Sequence, residues 1–510
     1  MVASSTSPKH GTTTQPQELA QMPPAHVTNV DTSPTSKRDP DHDPFLVEFT
    51  PGFDVRNPKD WTTSRKWSVT DVLSASGFNR IMVSTIMAPA LTTIAHELEM
   101  SPTESALALS IYLLASAFGP IFIGPLSEVY GRQTVLHVTG VWFLAWNAAC
   151  GFAKNKETLI ASRFLAGFGA SSIYALAGGV LGDIWGPEQR GRSLGLYLLI
   201  PIIGAAVGPI IGGFMAGRTT WRWMFWSTSI FQAVMVLVSF GVFRETYAPV
   251  ILKRRAAMLR RTTGDSRYYT IHERMEESHS LAYILAKAFT RPMRLLLLQP
   301  LVQTASLISA LSYGILYILL SSFSDLWIQH YNMSVEMSGL HYIALAAGEL
   351  TSSTLGGYLL DSIYSRMKAR DPENELEPEH RLPFALPGYL LSVLALVFYG
   401  WTAQFRVHWI AVDIAIFLVS FGLQLAGLPQ QAYVMDVYQE HTSSALAASQ
   451  FPRSLAAFLF PLFAPAMYRS LGYGWANSVL ALLGLMLGLP GSIFFWRWGK
   501  RMRMKFVGSY

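Results

Sequence analysis

Three ionisable side chains stand inside long apolar segments of this 510-residue chain. Glu349 lies in the middle of one segment, Asp413 lies nearer the start of another, and Arg163 lies in a third. A carboxyl group that meets water alternately on either side of a bilayer can carry a proton. A buried arginine costs about 2.5 kcal/mol or more to insert, so it requires polar partners. We therefore predict a proton-coupling set of Arg163, Glu349 and Asp413, with Glu349 the stronger candidate.

Each of these assignments has an alternative. Asp413 could be ordinary polarity at a membrane boundary, and Arg163 could extend its guanidinium to a nearby loop while its alkyl stem stays in the apolar region. Arg80, in the first apolar segment, offers a positively charged partner for Glu349. We predict that Arg163 faces a polar cavity.

A short turn between two apolar segments carries an acid and a base. The stretch GPLSEVYGRQ places Glu128 four residues before Arg132. At the mouth of a helix bundle, such charges can pair with each other or with a helix terminus and separate when the bundle moves. The alternative is that Arg132 only marks one side of the membrane. The predicted gating set, which includes a second acid-and-base group, is Gly124, Leu126, Glu128, Gly131, Arg132, Asp183, Arg190 and Arg192.

Glycines punctuate the uncharged stretch Leu198–Ala216, LLIPIIGAAVGPIIGGFMA. Three of them are spaced four apart, which leaves one helix face without side chains and allows a neighbouring backbone to approach. The proline removes one helix hydrogen bond where the helix can bend. The same spacing also occurs in ordinary helix contacts. The predicted packing and hinge residues are Gly204, Gly208, Pro209, Gly212 and Gly213.

Two tyrosines lie one helical turn apart in the seventh apolar segment. Tyr313 and Tyr317 could bind amphiphilic molecules by contact area and stacking, although such a pair also serves helix packing. With Arg80 they form our predicted substrate cavity. Asp436 and Arg453 are expected to fix helix ends and packing.

The composition is that of a polytopic membrane protein. Hydrophobic residues make up 51% and charged residues 14%, against about 25% charged in soluble domains. The single cysteine, Cys150, excludes an intramolecular disulfide and a zinc cluster. The net charge is +6, and the basic residues lie between the apolar segments. Membrane topology explains this distribution better than nucleic-acid binding does. No phosphate-binding loop, metal cluster or activated nucleophile appears, so we expect no enzymatic activity, cofactor or metal.

Twelve apolar windows form two sets of six. They lie near 71–95, 106–126, 134–153, 158–181, 194–216 and 223–243, and then near 299–322, 340–360, 384–403, 409–434, 445–468 and 474–496. The sequence thus predicts a disordered cytosolic tail (1–66), a first six-helix bundle (67–243), a cytosolic linker (244–294), a second bundle (295–496) and a basic cytosolic tail (497–510). No secretory leader, myristoylation signal or prenylation signal is evident.

The distribution of positive charge predicts the orientation. With both termini in the cytosol, twenty-six Lys and Arg fall on the inner side and six on the outer side. Such a bias favours this topology. The sequon at Asn332 then lies in an outer loop, which makes it a candidate glycosylation site.

The two sets of windows carry a weak internal repeat. The second window ends in Gly-Pro-Leu-Ser-Glu at Gly124, and the eighth ends in Gly-Tyr-Leu-Leu-Asp at Gly357. Because both follow the pattern Gly-x-Leu-x-acid at equivalent points, the halves are predicted to be related.

Together these motifs resemble the major facilitator superfamily, in particular its fungal drug:proton antiporters with twelve spans. The loop Gly124–Leu136 is similar to the superfamily's signature and keeps Gly124, Leu126, Gly131 and Arg132, with Glu128 for its Asp and Gln133 for its Lys. The stretch around Arg163 is similar to the fourth-helix motif linked to proton coupling, with Ala166 for its usual Gln, and the glycine stretch matches the fifth-helix antiporter motif. Further similarity lies in Asn57-Pro58-x-x-Trp61, Trp221-Arg222-Trp223, Glu245-Thr246-Tyr247-Ala248-Pro249, Ser444-Ala445-Leu446-Ala447-Ala448 and Arg453-Ser454.

The resemblance implies an all-α polytopic membrane protein with the major facilitator fold, two six-helix bundles with internal repeats. It also implies a proton-coupled exporter of small hydrophobic or amphiphilic compounds, such as drugs, toxins or fungal secondary metabolites, that works by alternating access. The alternatives are a polyamine exporter, an importer of a small nutrient, or a receptor that transports nothing. The expected partners are the substrate, protons and the bilayer, for a monomer in the plasma membrane rather than the vacuolar membrane.

Overall fold

Residues 43–50, 54–276, 281–370, 378–438 and 442–506 are described in a computed structural model of the chain. Side chains at 187–192 also fall outside this description, as do most of the predicted N-terminal tail and the last residues of the C-terminal tail. The chain divides after Pro44, and all the helices belong to the second unit, Phe45–Tyr510.

The described residues are helical apart from turns, loops and one isolated bridge between Leu46 and Tyr269. The first half contains α1 Thr63–Thr85, α2 Leu91–Glu97, α3 Pro102–Tyr130, α4 Arg132–Gly151, α5 Lys156–Ala170, α6 Ser172–Ile184, α7 Pro187–Arg218 and α8 Arg222–Val242. Between the halves lie α9 Ala248–Thr263, α10 Ile271–Glu276 and α11 Leu281–Leu298. The second half contains α12 Pro300–Asp325, α13 Val335–Arg370, α14 Ala385–Gln404, α15 Trp409–Val437 and α16 Thr442–Phe506.

Local sequence explains several helix ends. Ser101 and Glu104 form a reciprocal capping box at the start of α3, with Pro102 at its first position. Gly131 ends α3 at φ 96° and leads directly into α4, a backbone conformation that favours glycine. Gly472, at φ 69°, interrupts α16, so that this element is two helices joined at a kink.

All twelve predicted windows coincide with helix, although the first window, 71–95, contains more than one helix. Eight helices of the described chain are long and apolar enough to cross a membrane, and one of these holds both windows of α16. The remaining predicted spans are α1, α4 and α13, which carry more polar residues. The helix of the first window begins earlier than predicted, at Thr63, and ends at Thr85, where separate short helices follow.

The predicted disordered tail also contains structure. Val47 N–H donates to the Tyr269 carbonyl at 2.8 Å, and Tyr269 N–H donates to the Phe45 carbonyl at 3.0 Å. Arg255 of α9 bonds the Glu48 carbonyl at 3.0 Å and the Asp54 carboxylate at 3.2 Å. Composition alone missed this order because the partners lie some two hundred residues away in the linker.

The two halves share an apolar core at one end only. At the end opposite the chain termini, one cluster joins residues of the first half, such as Ile86 and Trp221, to residues of the second, such as Leu319 and Trp327. At the end that carries the termini, one cluster belongs to the first half and a separate one to the linker and second half. The shared apolar core of the described residues therefore lies at the far end, and near the termini each half has an apolar cluster of its own.

Candidate functional site

The predicted gate is built on Arg132, which is only 7% exposed. Its Nη1 donates to Ser127 Oγ at 2.6 Å, and its Nε lies 3.5 Å from Asp183 Oδ2. Its guanidinium also lies 5.0 Å from the centre of the Tyr247 ring. Glu128 is exposed and forms no ion pair with a described residue. The acidic partner of Arg132 is thus Asp183 on α6, and of the two arrangements considered, a pair between Glu128 and Arg132 is not formed among the described residues.

Glu245, which belongs to the segment Glu245-Thr246-Tyr247-Ala248-Pro249, lies beside the residues of the predicted gate. Its Oε1 accepts backbone N–H groups from Arg132 at 2.9 Å, Thr246 at 3.1 Å and Tyr247 at 3.1 Å. A carboxylate at the start of α4 is stabilised by the helix dipole. A β-carbon at Gly131 would overlap this carboxylate, so the turn requires glycine for both space and backbone conformation.

The other predicted gating residues contribute less to this contact. Leu126 packs against the apolar cluster of the first half. Gly124 has no atom of the described residues within 4 Å of where a β-carbon would stand. Arg190 and Arg192 belong to α7, but their side chains lie outside the described ones.

Arg163 has no exposed surface, and its polar partners are backbone carbonyls. It donates to the carbonyls of Val83 at 2.9 Å, Ala108 at 3.3 Å and Leu109 at 3.3 Å, and lies 4.7 Å from the ring centre of Tyr112. No carboxylate of the described chain pairs with it. It joins α5 to α1 and α3, and the expected polar cavity is not found there.

Arg80 likewise lies inside the first half and not in a cavity shared by the halves. It is 2% exposed and bonds the Gly169 carbonyl at 3.4 Å and the Ser172 hydroxyl, at the break between α5 and α6. Its guanidinium lies 5.6 Å from the Phe143 ring centre. The expected pairing with Glu349 is absent among the described contacts.

Glu349 lies half-buried on α13 and has no hydrogen bond or ion pair with any described residue. Its carboxyl group is close enough to the Tyr317 hydroxyl of α12 to interact with it electrostatically. Gly348 beside it packs against Phe417 and Ser420 of α15. Glu349 is therefore held by the packing of its helix, while its carboxyl group stays free.

Asp413 has a partner that the sequence reasoning missed. Its Oδ2 and Oδ1 lie 2.8 Å and 3.0 Å from His341 Nδ1, which links α15 to α13. His341 is 5% exposed and stacks on Trp327 at 3.7 Å between ring centres. The presence of a histidine inside the eighth apolar window could have marked His341 as a candidate, but the sequence does not show that it pairs with Asp413.

An arginine assigned to packing stands beside the predicted substrate tyrosines. The Arg453 guanidinium of α16 lies 3.3 Å from the ring centre of Tyr313, and the rings of Tyr313 and Tyr317 are 6.1 Å apart. Tyr174 of α6 is 47% exposed and is close enough to Arg453 for electrostatic interaction. The two halves of the molecule thus meet around a group of three tyrosines and one arginine.

The glycine stretch of α7 packs on α1. A β-carbon at Gly208 would lie 2.8 Å from the Met82 carbonyl oxygen, and β-carbons at Gly204 and Gly212 would overlap the backbone carbonyls of Phe78 and Ile86. These contacts lie within the first half. The three glycines four apart are therefore a close intra-bundle contact.

Gly213 faces the other half. A β-carbon there would lie 3.0 Å from the Gly339 Cα of α13, and one at Gly339 would lie 2.9 Å from the Pro209 carbonyl oxygen. Gly339 was not identified from the sequence. Nearby, Ser324 Oγ donates to the Pro89 carbonyl at 3.1 Å, so backbone and small side chains close the far end of the molecule.

Open space lies beside several glycines near the termini. No atom of the described residues lies within 4 Å of a β-carbon position at Gly124, Gly178, Gly357 or Gly427. The first and third of these are the glycines of the internal repeat. A cavity of about 380 Å³ lies between α1 and α7 in this part, lined by Trp67, Thr70, Asp71, Ser74, Leu199 and Ile200.

Asp54 anchors the ordered N-terminal segment outside the membrane-spanning helices. Burial opposes ionisation of its carboxyl group, but backbone N–H donors at Arg56 and Thr50 and the charge of Arg255 outweigh it and lower its pKa. The segment and α9 are thus joined by a charged contact at the termini end.

Asn332 lies in the loop before α13, at the far end. Its side chain is exposed, and its φ of 54° is a conformation that asparagine tolerates. The site is accessible and remains a predicted glycosylation site.

Comparison with known proteins identifies a single family. The sequence pattern of the Major Facilitator Superfamily matches residues 73–461. "Probable efflux pump mfs2" of Aspergillus flavus is 50% identical over 425 residues, which are 83% of this chain and all of that protein. "Efflux pump vrtL" of Penicillium aethiopicum is 38% identical and covers 91% of this chain and 92% of its own.

A solved structure shares the fold. The xylose transporter XylE of E. coli, in a partially occluded inward-open conformation, aligns with a TM-score of 0.62 at 14% identity, over 85% of this chain and 98% of its own. At this identity the match bears on the arrangement of the helices alone.

Proposed function

The chain belongs to the major facilitator superfamily, and from that premise we propose that it is a proton-coupled antiporter that exports small hydrophobic or amphiphilic compounds such as drugs, toxins or fungal secondary metabolites. It is a multi-pass membrane transporter and not an enzyme. The similarity to proteins named as efflux pumps over their full or nearly full length carries the proposal of export.

The geometry supports a cycle of alternating access. With both termini in the cytosol, the open end faces inward, and substrate enters between the halves. Closure at Gly213 and Gly339 then gives way as the termini ends of the two halves, including the region of Arg132 and Asp183, come together. The cycle requires that substrate and proton favour different conformations, because a ligand shifts an equilibrium only by its differential affinity.

The proton is proposed to bind Glu349. A carboxyl group without a charged partner can gain and lose a proton without breaking an ion pair, whereas Asp413 is already held by His341. Arg163 would act by holding α1, α3 and α5 together. The protein would work as a monomer in the plasma membrane.

Accumulation assays in yeast test this function. Cells that express the full chain receive a panel of neutral, anionic and cationic amphiphiles, with and without a protonophore. We expect lower accumulation of at least one compound, restored when the protonophore is added. Unchanged accumulation of every compound would contradict export, and increased uptake of a nutrient would favour the importer.

A further inference from the structure

We propose that Arg453, Tyr313 and Tyr174 form the part of the substrate site that selects planar aromatic compounds bearing an acidic oxygen, such as a carboxylate or phenolate. This inference rests on the proposed transport function and specifies the substrate of that site. It assigns a ligand-binding role to an arginine that the sequence placed in packing.

Arg453 is a membrane-embedded cation without a carboxylate partner. No described residue accepts a hydrogen bond from it, and its Nε is sealed from solvent without a partner. Its guanidinium lies over the face of the Tyr313 ring, 3.3 Å from the ring centre. A ring face attracts the cation but leaves the N–H donors along the guanidinium edge unused.

Two other arginines of the described chain have polar partners that Arg453 lacks. Arg163 donates to three carbonyls, and Arg132 donates through Nη1 to Ser127 Oγ, while its Nε lies 3.5 Å from Asp183 Oδ2 without a hydrogen bond. Since an unsatisfied charge in a membrane bundle is costly, the arrangement at Arg453 indicates a partner that comes and goes. A guanidinium edge fits a carboxylate through two parallel hydrogen bonds.

The surrounding side chains define the rest of the ligand. The Tyr313 and Tyr317 rings are 6.1 Å apart on α12 and offer aromatic surface. Tyr174 is an exposed residue of α6, a helix of the other half that packs against α16, and Gly178, four residues later on the same face of α6, leaves open space beside it. A flat ring system could stack there while its acidic group meets Arg453. Because the ligand would contact both halves, its affinity would change as they move.

The test measures binding of a matched pair of probes, 1-pyrenebutyrate and 1-pyrenebutanol, to the full chain in lipid nanodiscs, with empty nanodiscs to subtract partitioning. We expect about tenfold tighter binding of the carboxylate, since hydrogen bonds to charged groups contribute this much. Arg453→Gln should reduce the preference to less than twofold while the alcohol still binds, which also shows that the variant is folded. Arg453→Lys should retain part of the preference, because the charge remains but the planar fork is lost.

Arg469→Gln is the control, since Arg469 lies on the same element, is exposed and bonds the Pro465 carbonyl. It should leave both affinities unchanged. Equal binding of the two probes by the wild-type protein, or an undiminished preference in Arg453→Gln, would overturn the inference. If the alcohol is exported and the carboxylate is not preferred, export stands without this selectivity. If the carboxylate binds through Arg453 but cells that express the chain show unchanged accumulation of both probes and of every compound of the accumulation panel, the inference stands and the proposed export falls.

Discussion

At the scale of single residues, charges matter through the partners they find. Arg132 and Glu128 are neighbours in sequence, yet Arg132 contacts Asp183 and takes its backbone cap from Glu245. Asp413 is paired with His341, and Glu349 is not paired with any described residue. The presence or absence of a partner therefore distinguishes Asp413 from Glu349, which the sequence could rank only by their positions within the apolar segments.

Glu349→Gln should reduce the rate of export driven by a pH gradient at least tenfold, because glutamine cannot exchange a proton. Substrate counterflow without a gradient should persist, since no ion pair of the described chain depends on Glu349. The measurement compares both modes in proteoliposomes. Asp413→Asn is the matched variant. It should lower the melting temperature but leave most of the gradient-driven export, because it removes the charged partner of His341. Gradient-driven export by Glu349→Gln would exclude this carboxyl group as the proton site.

At the scale of helices, the glycine stretch of α7 has two separate contacts. Gly204, Gly208 and Gly212 fit against the backbone of α1, whereas Gly213 meets Gly339 of α13. The sequence predicted from these residues a close approach of one neighbouring backbone. The structure shows two such neighbours, because Gly213 meets the other half and the other three glycines pack within the first half.

Alanine substitutions should distinguish the two contacts. Gly212→Ala should lower the melting temperature, since its β-carbon would overlap the Ile86 carbonyl. Gly213→Ala should leave stability nearly unchanged but weaken closure against α13, and so increase proton leak. Gly241→Ala of α8, where the described chain leaves open space, is the control and should be neutral or slightly stabilising. Thermal unfolding and proton flux in liposomes give the readouts, and identical effects of Gly212→Ala and Gly213→Ala would refute the division.

The contact between the N-terminal segment and α9 leads to a second prediction at this scale. In Asp54→Asn, trypsin should cleave the linker several-fold faster than in the wild-type protein, because Arg255 loses its carboxylate partner. Asp265→Asn, which removes an exposed pair with Arg267, should change little.

The pH dependence of this contact follows from the lowered pKa of Asp54. A carboxyl group with a depressed folded pKa contributes stability above its unfolded pKa, about 3.9, and loses that contribution as pH falls through the folded value. Protease resistance should therefore be constant from about pH 5 to 8. A loss of resistance within that range would show that another group controls the contact.

At the scale of the whole molecule, the shared core at the far end and the separate cores near the termini define one conformation. The open glycines and the cavity between α1 and α7 lie on the same side as the separate cores. The described apolar clusters thus join the two halves at the far end, and alternating access requires a second conformation in which the halves meet near the termini instead.

Cysteine labelling can test this conformation, because the native Cys150 is buried and should react slowly. A hydrophilic maleimide should label Gly178→Cys at least tenfold faster than Ser338→Cys, since Gly178 faces open space and Ser338 is buried at the closed end. The rates should converge if substrate drives the molecule to the opposite state. Similar rates in the substrate-free protein would contradict the described opening.

The sequence by itself determined the class of protein, the positions of the twelve apolar segments and the family resemblance. These depend on local composition and on motifs such as the glycine stretch and the Gly124–Arg132 turn, which are visible without knowing what packs where. Spacing of four along one helix was sufficient to predict a face without side chains.

Only the tertiary structure decided the partners. It joined Arg132 to Asp183, Glu245 to the start of α4, His341 to Asp413, and Gly213 to Gly339. It also moved Arg80 out of the predicted cavity and placed Arg453 beside Tyr313. These pairs are between 51 and 140 residues apart, and a helix pattern fixes which face a residue occupies but not which neighbouring helix that face meets.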